Sequence, residues 1–383
     1  MKKINLNVPI NSLGYGVVGY NVWKHLSQSM DVSLFPIGYT ISPPTDDGNK
    51  SIPVDISKRI HNDSIKANNF DGSLTTLKIW HENQLAERVG FGKYYAWPFF
   101  EISKFDQRRI SHMQSVDQII VSSEWAKNIV EKNVTTAEPL VVECGVDRTI
   151  FHEEVKPRDI SPEFIIQEIS KYTPYVFLNC GKWEVRKGHD VLYKAFKNAF
   201  AIEKYPDVEL WMMSSNPFLT DSERRHWESL YRSDPRIKIL DRVDFQTELA
   251  AVMAGADCGV FPSRAEGWNL EVLEMMSMGK QVITTNYSAH TQFCNNMNSY
   301  LIDIEEEEPV YDGKFFTGDN GLWASLKGNP FDQLVSHMRH AYNTGRRRNN
   351  EGIETAKSLS WEKVSKKLIE TMSQSGAFDE EQI

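Results

Sequence analysis

Short apolar runs at 4–8, 32–37, 77–80, 118–121 and 140–142 alternate with longer stretches whose apolar residues recur every three or four positions. Runs of that length read as buried strands and the 3.6-residue period reads as amphipathic helix, so the pattern predicts parallel α/β layers. Helices are expected over 19–28 and 123–132. Ser123 suits the second as N-cap, because its hydroxyl can accept from a free amide of the first turn. Between 153 and 174 the chain becomes charged and carries Pro157, Pro162 and Pro174, which reads as a joint. The alternation then restarts, with strands expected at 175–179, 208–213, 237–240, 258–261 and 281–284 and helices at 188–200, 246–254 and 269–278. An acidic turn at 305–309 and an irregular loop to residue 329 come next. The last expected helix, 361–372, has apolar positions at 361, 364, 368, 369 and 372. Two successive α/β halves predict two Rossmann-like domains, 1–172 and 173–358, with residues 359–383 as a terminal helix.

Composition narrows the class. At 383 residues, with 40% hydrophobic and 25% charged positions, the chain can fill two cores of about 150–200 residues each. No apolar run reaches the roughly 18–20 residues of a membrane span. Lys2 and Lys3 open the chain, but Asn5 and Asn7 interrupt the apolar run behind them, so it reads as a first strand and not a signal peptide. A cytoplasmic location is expected, at most peripheral to the inner membrane face. A net charge of −9 disfavours nucleic acid as a partner without excluding it. Cys144, Cys180, Cys258 and Cys294 are scattered with no CxxC pair, so reduced thiols are expected and not a disulfide framework or zinc site.

The chemistry concentrates in residues 261–286. A strand ends at Phe261, a turn contains Gly267, and a helix starts near Asn269, a good N-cap residue. Ligands of open α/β sheets bind beyond the carboxyl ends of strands, and anions favour helix N-termini. A diphosphate can therefore sit on the amides of Asn269 and Leu270. Glu274, one turn on, can accept from two ribose hydroxyls, and Glu266 on the loop is placed for sugar hydroxyls. Taken alone, two such glutamates are ordinary solvated acids. A second block, 178–196, holds Gly181, Lys182, Lys187 and Gly188, with cations of the kind that can meet phosphate charge. A third holds Gly14, Gly16 and Gly19, formally G-x-G-x-x-G. The loop from Val8 to Gly14 is long for a dinucleotide turn, and Asp31 precedes the second strand where an acid should close it. His81 comes directly after the strand expected at 77–80. Trp80, Trp97 and Trp125 are candidates to stack on sugar rings, although burial is the common fate of tryptophan.

Pro262-Ser263, Glu266-Gly267, Glu274, Gly279 and Val282-Ile283 together resemble the PS..EG….E…..G..VI signature of glycosyltransferase family 4, the glycosyl transferases group 1. The 178–196 block resembles that family's G-R…K-G element, residues 119–151 its strand–Ser–helix–strand–GVD–F ending, and residues 359–362 its closing helix start. The resemblance covers nearly the whole chain. It implies the GT-B fold: two Rossmann-like domains facing across a cleft, with the C-terminal helix crossing back to the first. It further implies metal-independent, retaining transfer of a hexose from a UDP-, GDP- or ADP-sugar to a carbohydrate, lipid-linked or other hydroxyl acceptor, with no cofactor. No D-x-D occurs in the chain to hold a metal–diphosphate. On this resemblance His81, Lys187 and Glu266 are the catalytic set. Gly14, Gly16, Lys182, Lys187, Asn269, Leu270 and Glu274 bind the donor. Lys182 stands where the family has arginine, a point charge in place of a fork. Asn269 replaces a usual glycine, and residues 286–290 replace a glycine-rich loop, so the sugar is left open. The competing readings are an NAD-dependent oxidoreductase, a non-catalytic nucleotide-sugar-binding protein, and a sugar phosphorylase or synthase.

Overall fold

The computed structural model describes residues 2–38, 40–47, 50–157 and 173–378. Of the joint expected at 153–174, residues 158–172 lie outside the described residues. The chain divides into two compact units: Met1–Asp147, Asp244–Thr247 and Ser358–Ile383 form one, Arg148–Val243 and Glu248–Lys357 the other.

In chain order the first unit holds β1 (Lys3–Val8), α1 (Gly14–Ser29), β2 (Asp31–Pro36), α2 (Val54–Lys66), β3 (Thr76–Lys78), β4 (Tyr94–Ala96), α3 (Gln107–Gln114), β5 (Gln118–Val121), α4 (Glu124–Asn133) and β6 (Leu140–Val141). Its sheet runs β2-β1-β3-β4-β5-β6, all parallel. Ile4, Leu6 and Val8 of β1 are fully buried, and so is Asn5 between them. A parallel strand covered on both faces must satisfy such a polar group internally, and Asn5 Nδ2 donates to Asp71 O at 3.0 Å. Ser123 caps α4 as expected, its hydroxyl accepting from Ala126 N at 3.2 Å. The helix expected from residue 19 begins at Gly14 instead. Its early glycines lower helix propensity, but they allow a close approach. A Cβ on Gly16 would lie 2.2 Å from Asn11 Oδ1, and one on Gly19 would lie 2.1 Å from Pro9 O.

The second unit holds β7 (Tyr175–Gly181), α5 (His189–Ala199), β8 (Val208–Ser214), α6 (Asp221–Tyr231), β9 (Ile237–Ile239), α7 (Gln246–Ala254), β10 (Cys258–Phe261), α8 (Leu270–Ser277), β11 (Gln281–Thr285), β12 (Tyr300–Ile302), β13 (Glu307–Tyr311), β14 (Thr317–Ala324), α9 (Asn329–Thr344) and α10 (Asn350–Ser358). The first residues of α7 and the last of α10 are counted with the first unit. Its sheet is again parallel, in the order β12-β11-β10-β7-β8-β9. The core gathers Phe177, Leu192, Phe196, Tyr231, Val260 and Met338. In α5 it receives Leu192, Ala195, Phe196 and Ala199, one face of the helix.

One expectation is corrected. Residues 305–329 are not a turn and a loop: β13 and β14 pair antiparallel, Glu307 with Ala324 and Glu308 with Trp323. A run of acids, a proline and three glycines hides the strand pattern, yet Val310 and Trp323 are buried on the hairpin's inner side. The chain ends in α11 (Trp361–Gln374), which packs on α1 in the first unit. Trp361, Val364, Leu368 and Met372 are buried there, on the expected stripe, with Ile369 half-buried.

Two six-stranded parallel sheets are thus present, as the pattern predicts. In each, the chain leaves in opposite directions from one central pair, β1 with β3 and β7 with β10. Crevices for ligands form outside the carboxyl ends of such pairs. All four cysteines are free and buried. No helix among the described residues is long and apolar enough to cross a membrane.

Candidate functional site

At the reversal point of the second unit, the loop after β7 carries 182–188 and the loop after β10 carries 262–269. The two touch at Gly188, whose φ is +73° and whose position leaves no room for a side chain. A Cβ there would lie 2.1 Å from Pro262 O. This contact sets Lys187 beside Glu266.

The result is a buried charge cluster. Glu266 Oε1 accepts from Lys187 Nζ at 2.7 Å and from Ser263 Oγ at 2.7 Å. Its Oε2 accepts from Arg186 Nη1 at 2.8 Å. Arg186 also reaches Ala265 O at 2.9 Å and, through Nη2, Glu184 Oε2 at 2.8 Å. All four charged side chains are at least nine-tenths buried. Lys182 sits at the rim, its side chain 40% exposed and its Nζ 3.6 Å from Glu184 Oε1. Burial alone pushes the Glu266 carboxyl up, but Lys187 and Arg186 overcome it and hold the group well below the usual carboxylate range. Lys187 is shifted up: burial opposes its charge, and Glu266 and Glu271 outweigh that. The glutamate expected to meet sugar hydroxyls is therefore packed against three protein donors. Arg186 gives no signal in the sequence because its acid partner lies 80 residues away and only folding brings the two together.

Asn269 takes the N-cap position of α8, but not by the expected capping bond: its side chain makes none, and its backbone has φ +81° and ψ +82°. Positive φ explains why glycine is usual here, and asparagine is among the few other residues that tolerate it. Its side chain is spent on His290. His290 Nδ1 faces Thr284 Oγ1 at 3.0 Å, Thr285 Oγ1 at 3.1 Å and Thr285 O at 3.2 Å. Thr284 gives its hydroxyl hydrogen to Phe261 O and Thr285 gives its own to Ser263 O. All three oxygens can then only accept, so Nδ1 carries the proton and Nε2 takes the Asn269 Nδ2 hydrogen at 3.0 Å. The 286–290 segment that replaces a glycine-rich loop thus supplies the prop for the residue that replaces a glycine. Glu274, four residues into α8, is buried, and Leu270 opens the helix half-buried.

His290 and the nearby His189 are both kept neutral. Burial, then the Lys187 charge, lowers His189 to about 3. Burial lowers His290 to about 4 against an opposing pull from Glu266. Unfolded histidines titrate near ~6.5, so between pH 6.5 and 4 the unfolded chain binds protons that the folded chain refuses. Stability is fully present above that window and falls as pH drops through it, by up to about 1.4 kcal/mol per pH unit for each histidine. Thermal melts from pH 7 to 4.5 should show this decline, and a flat profile would contradict the neutral pair.

The first unit has its own reversal point. Gly14 opens α1 in open space, where a Cβ would meet nothing within 4 Å, whereas Gly16 is required by Asn11. Tyr15 lies between them, half-buried. Its hydroxyl donates to Phe99 O at 2.8 Å and accepts from Phe99 N at 3.1 Å. Its ring centroid is 4.6 Å from that of His81 and 5.5 Å from that of Trp80. Tyr15 therefore gathers the glycine loop and the exposed His81 at one carboxyl edge. Trp97 is fully buried, and Trp80 and Trp125 are half-buried. A cavity of about 470 Å³ lined by Lys93, Tyr95, Asp117 and Ser375 sits at the amino ends of β4 and β5, the edge away from this cluster.

Residues 174–312 match the family described as Glycosyl transferases group 1. That span contains Lys182, Lys187, Glu266, Asn269, Leu270 and Glu274. An uncharacterized glycosyltransferase of Methanocaldococcus jannaschii is 26% identical over 250 residues, 64% of this chain and 56% of the relative, so the match spans little more than half of that protein. Among solved structures, sucrose-phosphate synthase from Thermosynechococcus elongatus superposes with a TM-score of 0.68 at 16% identity, over 98% of this chain and 100% of that one. Anabaena HepE in complex with UDP-glucose gives 0.63 at 12% identity, over 98% and 100%. The structural likenesses establish the GT-B fold, and residues 174–312 are similar to the group 1 glycosyltransferases.

Proposed function

We propose that this chain, a GT-B protein of the group 1 glycosyltransferase type, moves a hexose from a nucleoside-diphosphate sugar to an acceptor hydroxyl, with retention and without a metal. The observation that carries this reading is the Lys187–Glu266–Arg186 cluster beside the start of α8. Breaking the bond between C1 and the phosphate oxygen places charge on the leaving diphosphate, and fixed cations in a dry site lower that barrier most. Lys187 meets that charge, and the amides of Asn269 and Leu270 at the helix N-terminus add to it. Glu274 holds the ribose. In retention the acceptor oxygen bonds to C1 on the face the diphosphate leaves, and the leaving oxygen takes the acceptor's proton. Within the first unit, His81 and the Gly14–Gly16 loop are the candidate sugar-binding groups. UDP-glucose, the ligand of the HepE structure, is the first donor to try. The acceptor is a carbohydrate, lipid-linked or other hydroxyl compound met in the cytoplasm or at its membrane face.

An oxidoreductase fits less well. A ribose-binding acid should close β2, but β2 ends at Pro36, and Asp31 lies at its amino end, paired with Lys66 at 2.7 Å. The deciding experiment is a hydrolysis screen of UDP-, GDP- and ADP-sugars, with and without acceptors, alongside NADH binding. NADH binding with no nucleotide-sugar turnover would overturn the proposal. Binding without turnover would leave a non-catalytic protein, and phosphorolysis would mark a phosphorylase. Glu274→Gln should weaken nucleoside diphosphate binding at least about tenfold in calorimetry, because a buried acceptor is lost. Unchanged affinity removes Glu274 from the site.

A further inference from the structure

The cluster holds one more cation than phosphate binding asks for, and its geometry gives that cation a separate task. If Lys187 were the sole partner of Glu266, an arriving phosphate that drew the ammonium away would strand a buried carboxylate next to a dianion. Removing one partner of a buried pair is costly for that reason. Here the two carboxylate oxygens are divided. Lys187 and Ser263 share Oε1, and Arg186 takes Oε2. Arg186 is itself fixed at both ends, by Ala265 O and by Glu184. Its fork therefore stays on Glu266 whether or not Lys187 does, and the Ser263 hydroxyl keeps Oε1 satisfied.

We propose that Arg186 is a positioning residue that holds the Glu266 carboxylate charged and in place independently of Lys187, so that the Lys187 ammonium can pass from Glu266 to the donor's phosphate. The inference rests on the donor reading above. Arg186 does not touch the donor; it sets how readily Lys187 lets go. The charged or titratable groups that face Glu266 include Lys187, Arg186, His290 and His189; both histidines are held neutral, so loss of Arg186 leaves Lys187 as the charged partner within hydrogen-bond reach.

The test uses the full chain, with Arg186→Met and Arg186→Lys, and the donor among UDP-glucose, GDP-glucose and ADP-glucose that the unaltered chain turns over. Arg186→Met should raise KM for the donor about tenfold, with a smaller fall in kcat, because Lys187 is now bound to Glu266 alone. The acid limb of the kcat/KM profile should move up by at least about one pH unit. Arg186→Lys, which keeps a charge but cannot span Glu184 and Glu266 together, should fall between the two, and it serves if the methionine variant does not fold. A merely structural role predicts a uniform loss of kcat at every pH with KM unchanged; that result overturns the inference. So does an Arg186→Lys profile that coincides with that of the unaltered chain. If the unaltered chain binds none of UDP, GDP and ADP by calorimetry, the donor reading itself fails and this inference with it. Intact binding with a fixed acid limb defeats only the role of Arg186.

Discussion

Lys187→Ala should lower transfer about a thousandfold, the scale seen when one fixed donor to a developing charge is removed, while the fold survives. Survival depends on the rest of the site and not on the lysine. Breaking a buried ion pair ordinarily costs about 3–5 kcal/mol because a bare charge remains. After this change Glu266 still has Arg186 at 2.8 Å and Ser263 at 2.7 Å, and burial of a lysine is relieved. The melting temperature should therefore move by only a few degrees. Initial rates with the accepted nucleotide sugar, taken beside a thermal melt, check both halves. Near-normal turnover would remove Lys187 from the chemistry, and a collapsed melt would show that the carboxylate depends on it alone.

The next residue should behave in the opposite way. Gly188→Ala places a Cβ where Pro262 O lies 2.1 Å away, and Pro262 C and Cγ lie 3.0 Å away. Alanine must also hold φ +73°, which costs about 1–2 kcal/mol for an L-residue. No flexible side chain can yield, because the obstacle is backbone. The two costs together should reach roughly 3–4 kcal/mol, a fall on the order of 10 °C for a unit of about 200 residues. Activity should drop too, since Pro262 begins the loop that carries Glu266. A melt displaced by less than about 3 °C would show that the two loops can part. Two neighbours on one loop thus separate chemistry from architecture.

That division is only half visible in the sequence. Periodicity places β5, β10 and α7 to the residue, because buried parallel strands are continuous apolar runs and α7 has clear boundaries. It misses β4, only three residues long, and α2 and α3, whose exposed faces are densely polar. The β13–β14 hairpin is concealed by acids and glycines on its solvent side. Lys187, Glu266 and Glu274 are singled out as candidates by spaced motifs, because each motif lies within one short loop or helix turn. Pairing at a distance cannot be read. Arg186 meets Glu266, and Asn269 meets His290, only after two loops of different strands have closed on each other. Asn269 shows the limit most clearly: its residue type names the helix start correctly, yet the capping bond implied by that type is absent, and the left-handed backbone is the reason it is there.

The four cysteines bear on a practical matter of labelling. Cys144, Cys180, Cys258 and Cys294 are all buried, and burial pushes every one of their thiols up, away from the thiolate that alkylating reagents attack. The folded chain is therefore a silent background for maleimide chemistry. One cysteine placed at exposed Phe91 in the first unit and another at exposed Met297 in the second give a fluorophore pair, with no native thiol to remove, for following the two units in real time as donor is added.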